Sequence, residues 1–206
     1  MLTREPGTTT APELHLHSGD ASWTRERWER LPNDGNRYEV IDGVLYLSTA
    51  PSFFHQWIIR TALLILNEQV DARVLGTTIM APIGLFMPGC APVQPDLLVV
   101  AAKDREIIRG GLIEGVPALI LEVHSPSSVG YDDRTKRQAY ARAGLPEYWI
   151  VRPASRDVLV CTQPDPALGD FAESRLVTSG AELASPTLPV RFAVEQLFAG
   201  APDTSL

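Results

Sequence analysis

The fold depends on two short apolar runs, PDLLVVAA at residues 95–102 and PALILEVHS at residues 117–125. Each run is nearly continuous in Val, Leu, Ile and Ala, and each begins at a proline, which is a turn signal. Runs of this kind are typical of strands that are buried on both faces of a sheet. The sequence therefore predicts two strands in the middle of a central β-sheet.

Segments on both sides of these runs predict helices and a hairpin. Residues 52–70 place apolar side chains at the spacing of an amphipathic helix, for which Ser52 is a suitable N-cap. Residues 132–143 form a second helix-favouring segment. Two β-rich runs flank Asp42 and Gly43, a pair that is typical of a two-residue hairpin turn. Further elements are predicted as strands at residues 73–79, 83–87, 147–151, 157–162 and 174–179, and as short helices within residues 23–31 and near the C-terminal end.

The order of these elements predicts an α+β fold, with a central mixed β-sheet flanked by helices. The chain has 206 residues, of which 45% are apolar, and this is enough for one domain with a substantial core. The N-terminal residues mix Thr, Pro, Gly and His without periodicity. We therefore expect residues 1–22 to form a flexible tail and residues 23–206 to form one domain.

The composition excludes several classes of protein. The sequence has no run of 18 apolar residues, so we expect no membrane span. Its N-terminal segment lacks the apolar stretch of a secretory signal. The two cysteines, Cys90 and Cys161, are too few for a disulfide scaffold and lack the spacing of a metal site. Together these features predict a cytoplasmic protein.

The charge of the chain argues against a protein that coats nucleic acid without specificity. Asp and Glu number 25 against 18 Lys and Arg, which gives a formal net charge of −7. Proteins that bind nucleic acid in that way are usually basic. Residues 103–156 differ from the rest, because they contain nine Lys and Arg against seven Asp and Glu. A weak local electropositive region is therefore compatible with the sequence.

Two carboxylates lie at the ends of the buried runs. Asp96 begins the first predicted strand and Glu122 ends the second. A buried charge is costly unless it is paired or binds a metal ion. One interpretation is that Asp96 caps a turn and Glu122 pairs with an arginine; the other is that both bind one divalent cation. Glu39, inside an apolar hairpin strand, is either a third acidic member of the site or an outward-facing strand residue.

Lys136 is a candidate site residue because lysine is rare in this chain. Of the 18 basic residues 16 are Arg, and only Lys103 and Lys136 are Lys. An ammonium is a compact point charge whose pKa shifts readily, whereas a guanidinium is a planar fork that stays protonated, so a site that requires one does not accept the other. Asp132, Lys136 and Tyr140 follow at intervals of four residues and share one face of the predicted helix.

Several segments match a known family in their order and spacing. They are YEVIDGVL, an Ala-Pro pair followed by His55-Gln56 on a helix, VQPDLLVV, LEVHSPSS, YDDRTKRQAYARAGLPEYWIV, and the closing SPTLPV with LF. Over roughly residues 37–200 the chain resembles the Uma2-type restriction endonuclease family, also called domain of unknown function 820. That family belongs to the PD-(D/E)XK, or restriction-endonuclease-like, superfamily.

The resemblance implies a nuclease core in which Asp96 and Glu122 hold Mg²⁺, with Mn²⁺ as a substitute. The superfamily motif normally has Lys two residues after the acidic strand residue, where this chain has His124. In the Uma2-type pattern the lysine role moves to the following helix, which here is the place of Lys136. The resemblance thus leaves two candidates, Lys136 and His124, for the role of the missing strand lysine.

The resemblance also places Glu39 and His55 in the site. Glu39 matches the upstream acidic position of the family, and His55 matches its helix histidine, whose role is unassigned. The implied activity is Mg²⁺-dependent hydrolysis of phosphodiester bonds in nucleic acid, with DNA as the expected substrate. Because cutting both strands of a duplex requires two sites, we expect a homodimer. The alternative is an inactive nuclease-fold module that binds nucleic acid or protein.

Overall fold

The computed structural model describes residues 16–32, 34–48, 51–125 and 131–201. Its strands, numbered in chain order, are β1 (Leu16–His17), β2 (Arg37–Ile41), β3 (Val44–Ser48), β4 (Gly76–Met80), β5 (Leu85–Met87), β6 (Cys90–Val93), β7 (Leu97–Ala101), β8 (Ile108–Arg109), β9 (Leu112–Glu114), β10 (Leu119–Val123), β11 (Glu147–Arg152), β12 (Asp157–Asp165), β13 (Asp170–Thr178), β14 (Glu182–Ala184) and β15 (Arg191–Ala193). Its helices are α1 (Arg25–Trp28), α2 (Phe53–Leu66) with a π-helical continuation (Asn67–Asp71), a 3-10 helix (Ala102–Ile107), a π-helical segment (Tyr131–Lys136) that leads into α3 (Arg137–Arg142), and a 3-10 helix (Val194–Leu197).

The predicted central sheet is a mixed sheet that, within the described residues, has six strands in the order β13-β12-β11-β10-β7-β4. The strands β10 and β11 are parallel, and the other neighbouring pairs are antiparallel. The two apolar runs form β7 and β10, which pair side by side with Leu97 opposite Leu121. Every residue of β10 is buried, so the prediction of doubly covered central strands is confirmed.

The hairpin of β2 and β3 belongs to a second sheet that the sequence did not predict as separate. In the described part of the chain this sheet has seven strands, in the order β1-β3-β2-β6-β5-β9-β8. A small antiparallel ribbon of β14 and β15 completes the β-structure described. The strands β5, β6, β8 and β9 are each two to four residues long, too short for a clear alternation pattern. The predicted α+β fold with a central mixed sheet is therefore confirmed, and the structure adds a second sheet and a ribbon to it.

Apolar side chains cover both faces of the six-stranded sheet. On one face, Leu121 of β10 and Ile58 of α2 belong to one buried cluster. On the other face, Ile120 of β10, Tyr140 of α3 and Ile41 of the second sheet belong to another. This double coverage explains why the central runs are continuously apolar. The helix α3 and the second sheet pack on the same face of the six-stranded sheet, and the candidate site lies on that face.

The two long helices are confirmed with local changes in geometry. The helix α2 begins after Ser52, whose side-chain oxygen accepts a hydrogen bond from the backbone N–H of His55 at 3.3 Å. Beyond Leu66 it continues with π-helical spacing. The predicted helix at residues 132–143 likewise starts as a π-helical segment before α3. Across the described ranges, no helix combines the length and the apolar character needed to cross a bilayer.

The N-terminal boundary differs from the prediction. Leu16 and His17 pair with β3, so the second sheet already begins within the predicted tail at residues 1–22. Main-chain pairing holds this two-residue strand, and a sequence pattern of that length carries no periodicity. Residues 1–15 of the predicted tail and residues 202–206 of the predicted domain lie outside the described residues.

Some strand boundaries shift where the backbone leaves the extended region. The strand predicted at residues 73–79 begins only at Gly76, because Val74 has a φ of +58° and cannot continue a strand. At the other edge of the sheet, β12 and β13 extend further toward each other than predicted, and their pairing continues to Asp165 opposite Asp170. A longer hairpin ladder, interrupted at Gln163, whose φ is +55°, therefore replaces most of the loop expected there.

The hairpin turn between β2 and β3 is confirmed in detail. Asp42 and Gly43 have φ values of +49° and +76°, and a two-residue turn of type I′ needs positive φ at both positions. A Cβ at Gly43 would lie 2.3 Å from the backbone oxygen of Ala21. We expect Gly43→Ala to lower the free energy of unfolding by about 1–3 kcal/mol, because it adds strain and a clash with rigid backbone.

Urea unfolding followed by circular dichroism measures this effect. Gly110→Ala is the matched control, because Gly110 also has positive φ, at +60°, but a Cβ there meets nothing within 4 Å of it in the described structure. The control should lose less stability than Gly43→Ala. Equal losses would show that the contact with Ala21 has no energetic role.

Candidate active site

The register of the central strands places Asp96 beside Glu122. Because Leu97 pairs with Leu121 in an antiparallel register, the next residues outward are Asp96 and Glu122. The backbone N–H of Asp96 donates to Oε2 of Glu122 at 3.4 Å, and the backbone N–H of Val123 donates to Oδ2 of Asp96 at 2.9 Å. Both carboxylates are buried. Each one therefore accepts a hydrogen bond from the strand that carries the other.

Lys136 contacts this pair from the helical segment that leads into α3. Its Nζ donates to Oε1 of Glu122 at 2.8 Å and lies 3.2 Å from Oε1 of Glu39. The hydroxyl of Tyr140 donates to the same Glu122 oxygen at 3.1 Å. Lys136 and Tyr140 are four residues apart, so they lie on one helix face, as the sequence predicts. Lys136 is only 4% exposed, which places its charge in the protein interior.

Glu39 joins the same group from the second sheet. Its side chain is 2% exposed, so the interpretation of Glu39 as an outward-facing strand residue is wrong. The backbone N–H of Gln94 donates to its Oε1 at 2.7 Å, and Lys136 contacts the same oxygen. The ammonium of Lys136 thus connects a carboxylate on β2 of one sheet with a carboxylate on β10 of the other.

His55 reaches the site from the first turn of α2. Its Nε2 lies 2.9 Å from the backbone oxygen of Val123 and 3.2 Å from Oδ2 of Asp96. The Ser52 cap fixes the start of the helix and so fixes where the imidazole lies. All five residues predicted for the site, Glu39, His55, Asp96, Glu122 and Lys136, are therefore connected through these contacts.

Arg37 is a member of the group that the sequence did not single out. Its Nη1 donates to Oδ1 of Asp96 at 2.8 Å, and its side chain is 22% exposed while Asp96 is buried. Burial opposes the ionisation of Asp96, but hydrogen bonding and charge from His55, together with Arg37, hold the pKa of this carboxyl below its usual range. Arg37 lies two residues before Glu39, so the alternation of β2 places the two side chains on the same face of the strand. This spacing is the sequence signal that could have identified Arg37.

The charges and donors of this group fit a divalent cation. Among its described side chains, the carboxylates of Glu39, Asp96 and Glu122 contact the basic side chains of Arg37 and Lys136 and the imidazole of His55. Within the described ranges, no set of three or more His, Cys, Asp or Glu side chains is arranged to hold a metal ion. Mg²⁺ is commonly bound by only one or two carboxylates and several waters. Asp96 and Glu122 therefore suit Mg²⁺ or Mn²⁺.

His124 makes a separate contact outside this group. It lies two residues after Glu122, and its Nε2 is 3.1 Å from Oδ1 of Asp133. Burial lowers the pKa of His124, against the charge of Asp133, which raises it. The structure thus places Lys136, and not His124, in direct contact with the Glu122 carboxylate.

Comparisons with known proteins agree with this architecture. The model of the Uma2 family, described as "Putative restriction endonuclease", matches residues 25–195. A crystal structure of a protein from Anabaena variabilis ATCC 29413, described as a putative nuclease belonging to DUF820, superimposes with a TM-score of 0.71 at 17% identity. That match covers 85% of this chain and 97% of the other, and it shows a shared fold. Among curated proteins, no relative matches the sequence.

The buried position of Lys136 predicts a large effect on stability. Lys136→Met removes the cation between Glu39 and Glu122, and leaving a buried charge without its partner costs about 3–5 kcal/mol. Adding Glu39→Gln removes one of the two uncompensated charges. The double variant should therefore lose less free energy of unfolding than the two single variants lose in sum. Urea unfolding of the single and double variants measures this coupling.

Arg191→Met provides the control for loss of an ion pair. Arg191 pairs with Glu182 at 3.0 Å, and both side chains are more than half exposed. Exposed ion pairs of this kind contribute little to the free energy of unfolding, so this variant should unfold like the wild type. Additive losses in Lys136→Met and Glu39→Gln would contradict the contact between the two residues.

Proposed function

Because the chain belongs to the Uma2 family, we propose that it is a metal-dependent endonuclease that hydrolyses phosphodiester bonds in DNA. One observation carries the proposal: Asp96 and Glu122 lie side by side at the ends of two paired strands, and Lys136 contacts Glu122. Phosphodiester hydrolysis needs charge stabilisation at the phosphate and an activated water, and this group of side chains is suited to supply both.

In this proposal, Asp96 and Glu122 hold one Mg²⁺, and Mn²⁺ substitutes for it. The bound ion supplies Lewis-acid stabilisation of a phosphate oxygen and lowers the pKa of its water. Asp96 is kept ionised by its contacts with Arg37 and His55, so it is ready to act as an anionic ligand. Nε2 of His55 also lies within hydrogen-bond distance of the backbone oxygen of Val123, and this contact holds the end of β10 in place.

Lys136 and Arg37 are the cations proposed to act on the phosphate. The ammonium of Lys136 is fixed between Glu39 and Glu122, so it can orient a water or neutralise developing charge without reorganisation. Arg37 uses one guanidinium nitrogen for Asp96 and remains partly exposed, which allows its other nitrogens to face a phosphate. Two copies of the site in a C2 homodimer would allow both strands of a duplex to be cut.

A second candidate function has one observation in its favour. Each carboxylate oxygen of Asp96 and Glu122 already accepts a hydrogen bond or ion pair from a protein group. A network satisfied in this way is also compatible with a structural role in a non-catalytic module that binds nucleic acid or protein. Cation binding and cleavage separate the two functions.

The first prediction from this proposal concerns cation binding. A ligand that binds only the folded state stabilises it, by about 2.7 kcal/mol at 100 times its Kd, which is roughly 5–10 °C in Tm for a chain of this size. We expect Mg²⁺ or Mn²⁺ to raise the Tm of the wild type, and Glu122→Gln to abolish the rise. Glu173→Gln, which changes an exposed carboxylate on β13, should retain it.

The second prediction concerns cleavage. Plasmid and oligonucleotide DNA should be cut in the presence of Mg²⁺ or Mn²⁺ and left intact in EDTA. Lys136→Arg should lower the rate by at least about 100-fold, because a planar guanidinium cannot replace the ammonium between two carboxylates. Lys103→Arg is the matched control, since it changes the other lysine, which is exposed, and should cleave like the wild type.

One outcome would contradict the proposed nuclease, and another would contradict only the role of Lys136. Absence of cleavage of single-stranded, duplex and supercoiled DNA with both cations would leave the non-catalytic module as the better account. Full activity of Lys136→Arg would show that the reaction does not need the Lys136 ammonium. His124 would then be the remaining candidate for the role of the missing strand lysine.

A further inference from the structure

The strand β13 forms a long open edge of the six-stranded sheet. It has nine residues, and within the described structure it pairs with β12 on one side only. The other edges of the two large sheets are shorter in the described residues, because β4 has five residues and β1 and β8 have two each. The middle of β13, at residues 172–176, is exposed throughout. An edge of this kind is a template for pairing with another strand.

The pairing with β12 determines which main-chain groups of β13 face the open edge. Directly beyond the ladder, the backbone N–H of Ser179 donates to the backbone oxygen of Arg156 on the side of β12, at 3.1 Å. In an antiparallel ladder, successive residues alternate between bonding to the partner strand and pointing away from it. Counting back from Ser179, the N–H and C=O groups of Ala172, Ser174 and Leu176 therefore point away from β12 and toward the open edge.

The sequence of this edge, Ala-Glu-Ser-Arg-Leu at residues 172–176, is complementary to itself in the antiparallel direction. If two copies pair with Ser174 opposite Ser174, Glu173 of each copy lies opposite Arg175 of the other. Side chains at such directly opposed positions are about 4.5–5.5 Å apart at Cβ, and opposite charges there stabilise the pairing. Arg175 donates from Nη2 to the backbone oxygen of Ala184 at 3.2 Å, and a guanidinium has further N–H groups for this contact.

The neighbouring registers are less favourable. The outward-pointing residues must face each other for main-chain bonding, so the register can shift only in steps of two residues. A shift in one direction places Glu173 opposite Glu173, and a shift in the other places Arg175 opposite Arg175. Like charges directly opposite each other are destabilising. The register centred on Ser174 also places Leu176, which is 48% exposed, opposite Ala172, so this apolar surface is covered.

We propose that β13 is a homodimer interface, in which the β13 strands of two copies pair in antiparallel about a two-fold axis at Ser174. A two-fold axis repeats each contact, so the interface contains the pair of Glu173 with Arg175 twice. The inference goes beyond the proposed nuclease, because it rests on the strand alone, and it gives the expected homodimer a specific surface. Two strands, β12 and β11, separate β13 from β10, which carries Glu122, so changes at this edge leave the candidate active site untouched.

Sedimentation velocity of the full chain over a range of concentrations tests the interface. The wild type should form dimers as its concentration rises. Glu173→Arg places like charges opposite each other at both contacts, so each pair changes from attractive to repulsive. We expect the dissociation constant of the dimer to rise about 10- to 100-fold. Arg175→Glu should have the same effect, since it also places like charges opposite each other.

A mixture of these two variants distinguishes facing charges from a general effect of charge. Glu173→Arg has two basic side chains at the two positions, and Arg175→Glu has two acidic ones. In a mixed dimer each contact again joins opposite charges, so an equimolar mixture should dimerise with about the affinity of the wild type. The double variant Glu173→Arg/Arg175→Glu restores both contacts within one chain and should also dimerise like the wild type.

A further variant tests the main-chain pairing. Ser174→Pro removes the N–H at the centre of the ladder, and an edge strand tolerates proline where that N–H faces solvent. It should weaken the dimer, while the circular dichroism spectrum shows that the fold is retained. The matched controls are Glu106→Arg and Arg105→Glu, which make the same charge changes at exposed positions of the 3-10 helix that follows β7, near the other edge of the sheet. Both controls should dimerise like the wild type.

Several results would overturn this interface. A wild type that stays monomeric at all concentrations would leave the edge to a strand of another protein. A dimer that withstands Glu173→Arg, Arg175→Glu and Ser174→Pro would have its contact elsewhere. A mixture that remains as weak as its components, or an equal loss in the two controls, would show that these charges do not face each other. Failure of the nuclease gives a different pattern, in which the dimer responds as expected but no cation supports cleavage.

Discussion

The ammonium of Lys136 lies between the carboxylates of Glu39 and Glu122, at 3.2 and 2.8 Å, in the interior of the protein. These contacts join three parts of the fold, because Glu39 belongs to the seven-stranded sheet, Glu122 to the six-stranded sheet, and Lys136 to the helical segment packed against both. Charges are costly to bury, and they are tolerated here only because each has its partner. This contact therefore joins the two sheets and α3 at the same place as the apolar cluster that contains Ile41, Ile120 and Tyr140.

The proposed phosphate chemistry would use the same group of charges. Asp96 is held ionised by Arg37 and His55, and it lies beside Glu122 because of the antiparallel register of β7 and β10. Because the carboxylate oxygens of Asp96 and Glu122 already have protein partners, a divalent ion bound there would replace some of these contacts. In the proposed function these side chains serve both stability and catalysis, so a change at one of them is expected to alter both.

The sequence predicts those features that have a strong local signal. Continuous apolar runs identify β7 and β10, and Asp42-Gly43 identifies the hairpin. Asp96 and Glu122 are conspicuous because they interrupt those runs. Arg37 has no such signal, since arginine is the common basic residue of this chain. The division into two sheets is also invisible in the sequence, because it depends on the pairing of strands of two to four residues.

Crystallography with Mn²⁺ distinguishes a shared cation site at Asp96 and Glu122 from a purely structural pair. Anomalous diffraction from crystals grown with Mn²⁺ locates the ion independently of any assay of activity. If Asp96 and Glu122 share one cation, we expect one peak that contacts oxygens of both carboxylates at about 2.1 Å, the distance typical of a hard divalent cation of this size. A peak bound elsewhere, or carboxylates that keep only their protein contacts at saturating Mn²⁺, would contradict it.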